Sequence, residues 1–268
     1  MSDLQIAVLA LVQGITEFLP ISSSGHLILV PLLTGWPDQG LLIDIAVHVG
    51  SLGAVLVYFR DDLGLMLRGL ANTLSGAGRD DAGARLVLLI GVATVPVLIG
   101  GATLKAVTDG DGLRTIAIIG WASLGFGILL YLVDRTAPRD RTLHAMSIPG
   151  ALLIGLAQTL ALIPGTSRAG ITITAARALG YQRDESARFS MLMAIPTILG
   201  AGALLTLDVI ELGQAEVGRD ALLAAGLAFA AAFAAIVLLM RWLRHASFTP
   251  FVIYRCLLGV LILLWAYG

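Results

Sequence analysis

Two short polar clusters interrupt an otherwise apolar chain, and their side chains can perform acid–base and anion chemistry. The first cluster, EFLPISSSGHL at 17–27, contains Glu17, three serines and His26. The second, IPGTSRAG at 163–170, contains Arg168 beside two hydroxyl groups. A carboxylate, a hydroxyl and an imidazole can supply a metal ligand, a nucleophile and a proton-transfer group. Because a guanidinium suits phosphate, the two clusters together favour phosphoryl transfer.

Both clusters also predict a helix start. Serine and threonine prefer N-cap positions, so helices should begin just after 22–24 and after 166–167. The free N–H groups and the positive dipole end of each helix would form an anion site. Since Ser22, Ser23 and Ser24 can each cap a helix, the spacing alone does not say which of them reacts.

The composition is that of an integral membrane protein. Of the 268 residues, 57% are hydrophobic and only 13% are charged, and the mean hydropathy is +0.91. These values exclude an ordinary soluble domain, and a net charge of -1 gives no indication of nucleic-acid binding. The partners to expect are membrane lipids, and whether the chain forms a homodimer stays open.

Six stretches are predicted to cross the membrane as helices, because each can supply roughly 20 residues with few charges. Four are uncharged runs bounded by charged residues, a fifth contains only Arg255, and the sixth is shorter and uses flanking residues. The four uncharged runs lie between Arg85 and Lys105, Arg114 and Asp134, Arg188 and Asp208, and Asp220 and Arg241. The fifth stretch is 246–268, and the sixth, shorter one is 44–60.

Two further apolar segments, 4–35 and 148–178, are each broken midway by one of the polar clusters. The pieces on either side would make helices of about 20 Å, which is too short to span the hydrocarbon comfortably. Both segments are therefore predicted to be re-entrant hairpins, giving an all-α polytopic fold.

The basic residues predict the sidedness of these elements. Twelve of the seventeen lie in four groups that we assign to the cytoplasmic side. The groups are Arg60, Arg68, Arg79 and Arg85; Arg135, Arg139 and Arg141; Arg177, Arg183 and Arg188; Arg241 and Arg244. The first hairpin must then enter from outside and the second from inside.

This layout divides a single membrane domain, 1–268, into two inverted repeats at 1–141 and 142–268. The sequences ALVQGITEFLPISSSG and GLAQTLALIPGTSRAG echo each other weakly across the repeats, with one residue skipped. Inverted repeats usually place their site near the midplane of the membrane.

The clusters closely resemble the two signature motifs of the bacterial undecaprenyl-diphosphatase family, the bacitracin-resistance phosphatases. The motifs are QGITEFLPISSSGHL and PGTSRAGITIT; TPFVIYR, AVHVGSLGAVLVYFR and ARFSMLMAIP extend the resemblance over nearly the whole chain. It implies an enzyme of the bacterial plasma membrane that hydrolyses undecaprenyl diphosphate to undecaprenyl phosphate, a carrier lipid for peptidoglycan synthesis. A divalent cation, Mg²⁺ or Ca²⁺, would assist, and the site would be reached from the outer side.

The resemblance also implies roles for individual residues. Catalysis would involve Glu17, Ser23 as nucleophile, His26 in proton transfer and Arg168 on phosphate, with direct attack by water as the alternative to Ser23. The cation would be bound by Glu17 and Gln13, although many members carry a second glutamate in place of Gln13. Ala169 stands where serine is common. The remaining predicted substrate-binding residues are Ser22, Ser24, Ser167, Thr172 and Arg255.

Two other classes of function compete with the phosphatase. Broken helices that meet in inverted repeats are also a feature of secondary transporters, so a lipid carrier is the main alternative. A purely structural membrane protein is the other, but it leaves Arg168 and Arg255 unexplained, because ionisable residues at membrane depth are expensive.

Overall fold

The computed structural model describes residues 1–76, 81–107, 111–113, 115–211 and 218–268. These ranges contain eleven α-helices, a few 3₁₀ turns and no strand. The helices are α1 (Asp3–Phe18), α2 (Ser23–Thr34), α3 (Gly40–Tyr58), α4 (Arg60–Leu74), α5 (Ala82–Val107), α6 (Ile116–Thr136), α7 (Ile148–Gln158), α8 (Arg168–Ala178), α9 (Arg183–Glu211), α10 (Arg219–Leu243) and α11 (Thr249–Tyr267).

Six of the helices are long and apolar enough to cross a membrane, and they confirm the six predicted spans. They are α3, α5, α6, α9 over 183–206, α10 and α11. The stretch 60–85 differs from expectation: we treated it as a loop, but most of it forms α4, which packs against α5. Arg79, used above to assign sides, and Arg114, used to bound a predicted span, lie outside the described residues.

The two broken segments fold as pairs of short helices, α1 with α2 and α7 with α8. The helices α2 and α8 begin in the same unusual way, each with a serine N-cap in the left-handed region. Ser22 has φ 74° and Ser167 has φ 71°, and each Oγ accepts a hydrogen bond from the N–H three residues on. Non-glycine residues rarely adopt positive φ, so the two breaks share a specific backbone turn.

Small residues let the helices around the first pair approach closely. Helix α10 packs against α1 and α3 through alanines that include Ala224, Ala228 and Ala232. A Cβ at Gly14 would lie 2.6 Å from the Ala228 carbonyl oxygen, so a larger residue cannot be accommodated there. Close contact between small residues is how helices commonly associate in lipid.

A buried charge network fixes the far end of α8. The Asp134 carboxylate accepts from Arg177 Nε at 3.1 Å and from Arg183 Nη2 at 2.7 Å. Arg177 is fully buried and also donates to the carbonyls of Ala137 and Pro138. The network joins α6, α8 and α9, and α8 is the helix that begins with Arg168.

We predict that Asp134→Ala destabilises the protein strongly, because it leaves the buried Arg177 guanidinium without its counter-ion. Removing one partner of a buried pair costs about 3–5 kcal/mol. The measurement is the thermal midpoint in detergent. The matched control is Asp61→Ala, since Asp61 is 96% exposed and its ion pair with Arg60 spans 3.9 Å. Equal thermal midpoints for the two variants would contradict the role of Asp134 as the counter-ion of Arg177.

Candidate active site

The two helix breaks meet at an ion pair between Glu17 and Arg168. Arg168 Nη2 lies 2.9 Å from Glu17 Oε1, and the two side chains are 13% and 8% exposed. The other carboxylate oxygen, Oε2, accepts from Gln13 Nε2 at 2.9 Å and from Ser23 Oγ at 2.7 Å. The structure thus brings four of the predicted site residues into one connected group.

Arg168 is held on its other side by α9. Its Nη1 donates to the Ser190 carbonyl at 3.0 Å, and its guanidinium carbon lies 5.8 Å from the centre of the Phe18 ring. Thr172, one turn further along α8, is hydrogen-bonded to Ser190 Oγ at 2.7 Å. The guanidinium therefore has a defined position, and a planar group with five donors retains N–H groups for an anion.

His26 belongs to the site but does not contact Ser23 through a hydrogen bond. Its Nδ1 lies 2.7 Å from the Ser22 carbonyl oxygen, and its Nε2 lies 2.6 Å from Tyr254 Oη. Because a carbonyl only accepts, Nδ1 must carry the hydrogen, and in the neutral ring Nε2 then accepts from Tyr254. The ionisable group in contact with Ser23 is the Glu17 carboxylate.

Two of the other predicted hydroxyl groups, those of Ser22 and Ser167, are hydrogen-bonded to backbone N–H groups. Ser22 and Ser167 cap α2 and α8, where their Oγ atoms accept from Gly25 N at 3.4 Å and Gly170 N at 3.0 Å. Ser24 is exposed, with its Oγ 3.4 Å from Ser22 Oγ. Their part in substrate binding stays a prediction.

Arg255 connects the two breaks from behind. It is fully buried, and it donates to the carbonyls of Pro20 in the first break and of Gly165 and Thr166 in the second. Gly165 has φ 92°, and a Cβ there would lie 2.6 Å from the Ile119 carbonyl oxygen, so only glycine fits this turn. Arg255 thus positions the breaks, and its predicted contact with substrate stays a prediction.

Several buried polar atoms around the breaks have no hydrogen-bond partner within the described part of the chain. They are Gln13 Oε1, Gln158 Nε2, Thr166 Oγ1 and Arg255 Nε. Buried polar groups are normally paired, so such a concentration marks a place where water or a ligand belongs.

The donor set fits a hard divalent cation better than a soft one. Gln13 Oε1 is unpartnered next to the Glu17 carboxylate, and Mg²⁺ and Ca²⁺ prefer oxygen ligands. The described residues include no group of three or more His, Cys, Asp or Glu suited to a metal. One carboxylate and one amide oxygen match the way Mg²⁺ usually binds, with substrate phosphates supplying further ligands.

Comparison with known proteins places the chain in a family. A family model described as bacitracin resistance protein BacA matches residues 6–261. The chain belongs to the BacA family. It is 51% identical to a protein of Roseobacter denitrificans and 52% identical to one of Ruegeria pomeroyi, each over the whole of both chains. It is also 50% identical to a Rhodospirillum rubrum protein, over 98% of this chain and 95% of the relative. The first two relatives are named undecaprenyl-diphosphatase, and the third is named undecaprenyl-diphosphatase 1.

Two residues of this BacA-family site were not among the predicted ones. Ser190 holds Arg168 through its backbone carbonyl and Thr172 through its Oγ, but a small polar residue in an apolar helix is equally typical of helix packing. Tyr254 lies in the TPFVIYR segment, next to Arg255, so the motif marked the region but not the residue. Its ring stacks on His26 with centroids 5.7 Å apart and planes 9° apart.

We predict that Tyr254→Phe lowers kcat about tenfold, because losing one well-formed hydrogen bond costs about 1 kcal/mol or somewhat more. Without the Tyr254 hydroxyl, His26 Nε2 loses its donor, so the pH dependence of kcat should change as well. The value of kcat and its pH dependence are measured on purified protein. The control is Tyr267→Phe on the same helix, whose hydroxyl only accepts from Trp121 at 3.4 Å on the exposed surface. Identical pH profiles for wild type and Tyr254→Phe would refute the role of this pair.

Proposed function

We propose that the chain hydrolyses undecaprenyl diphosphate to undecaprenyl phosphate and inorganic phosphate, which recycles the carrier lipid for peptidoglycan synthesis and confers resistance to bacitracin. The relatives named undecaprenyl-diphosphatase match the chain along its full length. The observation that carries the proposal for this chain is the meeting of Arg168, Glu17 and Ser23 at the two breaks.

The proposed arrangement in the membrane has two re-entrant hairpins and an inverted repeat. The short helices α1, α2, α7 and α8 form the hairpins, and the matching serine caps at Ser22 and Ser167 support the repeat. The protein lies in the bacterial plasma membrane, and the headgroup reaches the breaks from the outer side. Irregular backbone at this depth is tolerated because the breaks are buried in protein.

The anionic headgroup is bound by Arg168 and by the first N–H groups of α2 and α8. Both helices point their N-terminal ends at the breaks, where partial positive charge favours an anion. In phosphoryl transfer, positioning and charge neutralisation provide most of the rate enhancement.

In the proposed reaction, Ser23 Oγ attacks the terminal phosphorus and passes its proton to Glu17 Oε2, which it already contacts. The bond from that phosphorus to the bridging oxygen breaks, and undecaprenyl phosphate leaves. Water then hydrolyses the phosphoserine, which releases phosphate and restores Ser23. The alternative is direct attack by water, with Glu17 or His26 as base; a rapid-quench search for phosphoserine distinguishes the two routes.

A divalent cation, Mg²⁺ or Ca²⁺, would be held by Gln13 and Glu17, and when bound it neutralises charge on the phosphates. The protein's own part is to fix these two oxygen donors: the Gln13 amide donates to Glu17 and leaves its Oε1 available.

We predict that Arg168→Ala lowers kcat/KM for undecaprenyl diphosphate by a factor of about 10² to 10³, the usual cost of removing one preorganised donor from a site of charge development. Phosphate release by detergent-purified protein is the measurement. The matched control is Arg60→Ala, since the Arg60 side chain is 77% exposed and its ion pair is with Asp61. Near wild-type turnover by Arg168→Ala would rule the assignment out.

We also predict that removing divalent cations with a chelator abolishes phosphate release and that adding Mg²⁺ or Ca²⁺ restores it. Gln13→Ala should raise the cation concentration needed for half-maximal activity, because it removes one of two oxygen donors. Activity of the wild-type protein that persists in the presence of the chelator would exclude a requirement for a divalent cation.

A lipid transporter stays the second candidate, because the matching breaks also suit alternating access. Ion-driven movement of prenyl lipid across vesicles by an inactive Arg168 variant would support it.

A further inference from the structure

An apolar groove lies between α3 and α9. Its volume is about 350 Å³. Its lining residues are almost all apolar or small, with one histidine and one threonine, and include Ile45, His48, Leu52, Ile198, Gly202 and Thr206.

The inner end of the groove lies further along α9 from the residue that anchors Arg168. His48 lies on α3, which packs both against α1, the helix of Glu17, and against α9. Leu52 and Ile198 belong to the same buried cluster as Phe18, whose ring lies beneath the Arg168 guanidinium. The Ser190 carbonyl that anchors Arg168 is eight residues before Ile198, so the groove begins about 12 Å along α9 from that anchor.

The outer side of the groove is open to the surroundings of the bundle. Val49 and Leu199, at its margins, are 55% and 56% exposed. A Cβ placed on Gly202 would meet no atom within 4 Å, so the groove is empty at this position. In the proposed topology this part of α3 and α9 lies in the outer half of the membrane, where the exposed margins face lipid hydrocarbon.

We propose that this groove binds the part of the prenyl chain nearest the diphosphate; the inference rests on the proposed function. One end of the groove is directed along α9 toward the Ser190 carbonyl that holds Arg168, and the rest is apolar and open sideways. That pattern matches an amphiphile with an anionic head at Arg168 and a hydrocarbon tail that leaves laterally into the bilayer. The competing occupant is an acyl chain of a bulk phospholipid, which would have no fixed position relative to Arg168.

The position of Gly202 allows a direct test. Gly202→Trp fills the groove without meeting backbone, whereas Gly226→Trp places the same side chain at an exposed glycine of α10 that also has open space. Each variant is assayed with undecaprenyl diphosphate and with dimethylallyl diphosphate, whose short tail cannot follow the groove. Gly202→Trp should raise KM for the long substrate about tenfold, equivalent to about two buried methylene groups.

The same variant should leave kcat at saturation and KM for the short substrate unchanged, and Gly226→Trp should match wild type throughout. Equal effects of Gly202→Trp on both substrates, or equal effects of the two tryptophans on the long substrate, would overturn the proposal.

A second measurement uses the wild-type protein and so does not depend on a variant that folds. A polyprenyl diphosphate with a diazirine on its first isoprene unit should crosslink to peptides from 45–52 and 198–206. Crosslinks spread over the lipid-facing helices would overturn the proposal. If wild type hydrolyses neither diphosphate, the proposed function fails, while the crosslinks still report where the prenyl chain binds.

Discussion

The ion pair between Arg168 and Glu17 joins two helix breaks that are 151 residues apart in the chain. A charge in apolar surroundings is expensive unless a partner is close, so neither break could keep its charged residue at this depth alone. The same constraint explains Arg255, which is satisfied by carbonyls that the two breaks leave free of helix bonds. The site is therefore a consequence of how the buried charges and the interrupted backbone satisfy each other.

The two helix breaks have the same backbone turn but carry different side chains at the start of the following helix. Ser22 and Ser167 are both left-handed caps, so Ser23 and Arg168 occupy the same first position of their helices. At that position a side chain lies beside the free N–H groups, where an anion would be bound. In the proposed mechanism the hydroxyl at one start is the nucleophile and the guanidinium at the other binds phosphate, and both side chains contact the Glu17 carboxylate.

The sequence predicted the spans and the two breaks because length, hydropathy and proline–glycine interruptions are local signals. It missed α4, since a surface helix with alternating charged and apolar residues resembles a cytoplasmic loop in composition. It also could not assign the serines: which one caps depends on the φ angle of Ser22, and the partner of His26 is Tyr254, 228 residues away. Such contacts depend on tertiary packing, and no spacing in the sequence encodes them.

Gln13 shows how a departure from the common pattern can still serve the site. The amide donates through Nε2 to Glu17, which stabilises the ionised carboxylate, and its Oε1 is then left buried without a partner. An ionised carboxylate at this position could not donate to Glu17, because it carries no hydrogen, and its charge would repel that of Glu17. In the proposed mechanism one neutral side chain would therefore orient the base and offer an oxygen to a cation, without adding negative charge at the proposed diphosphate site.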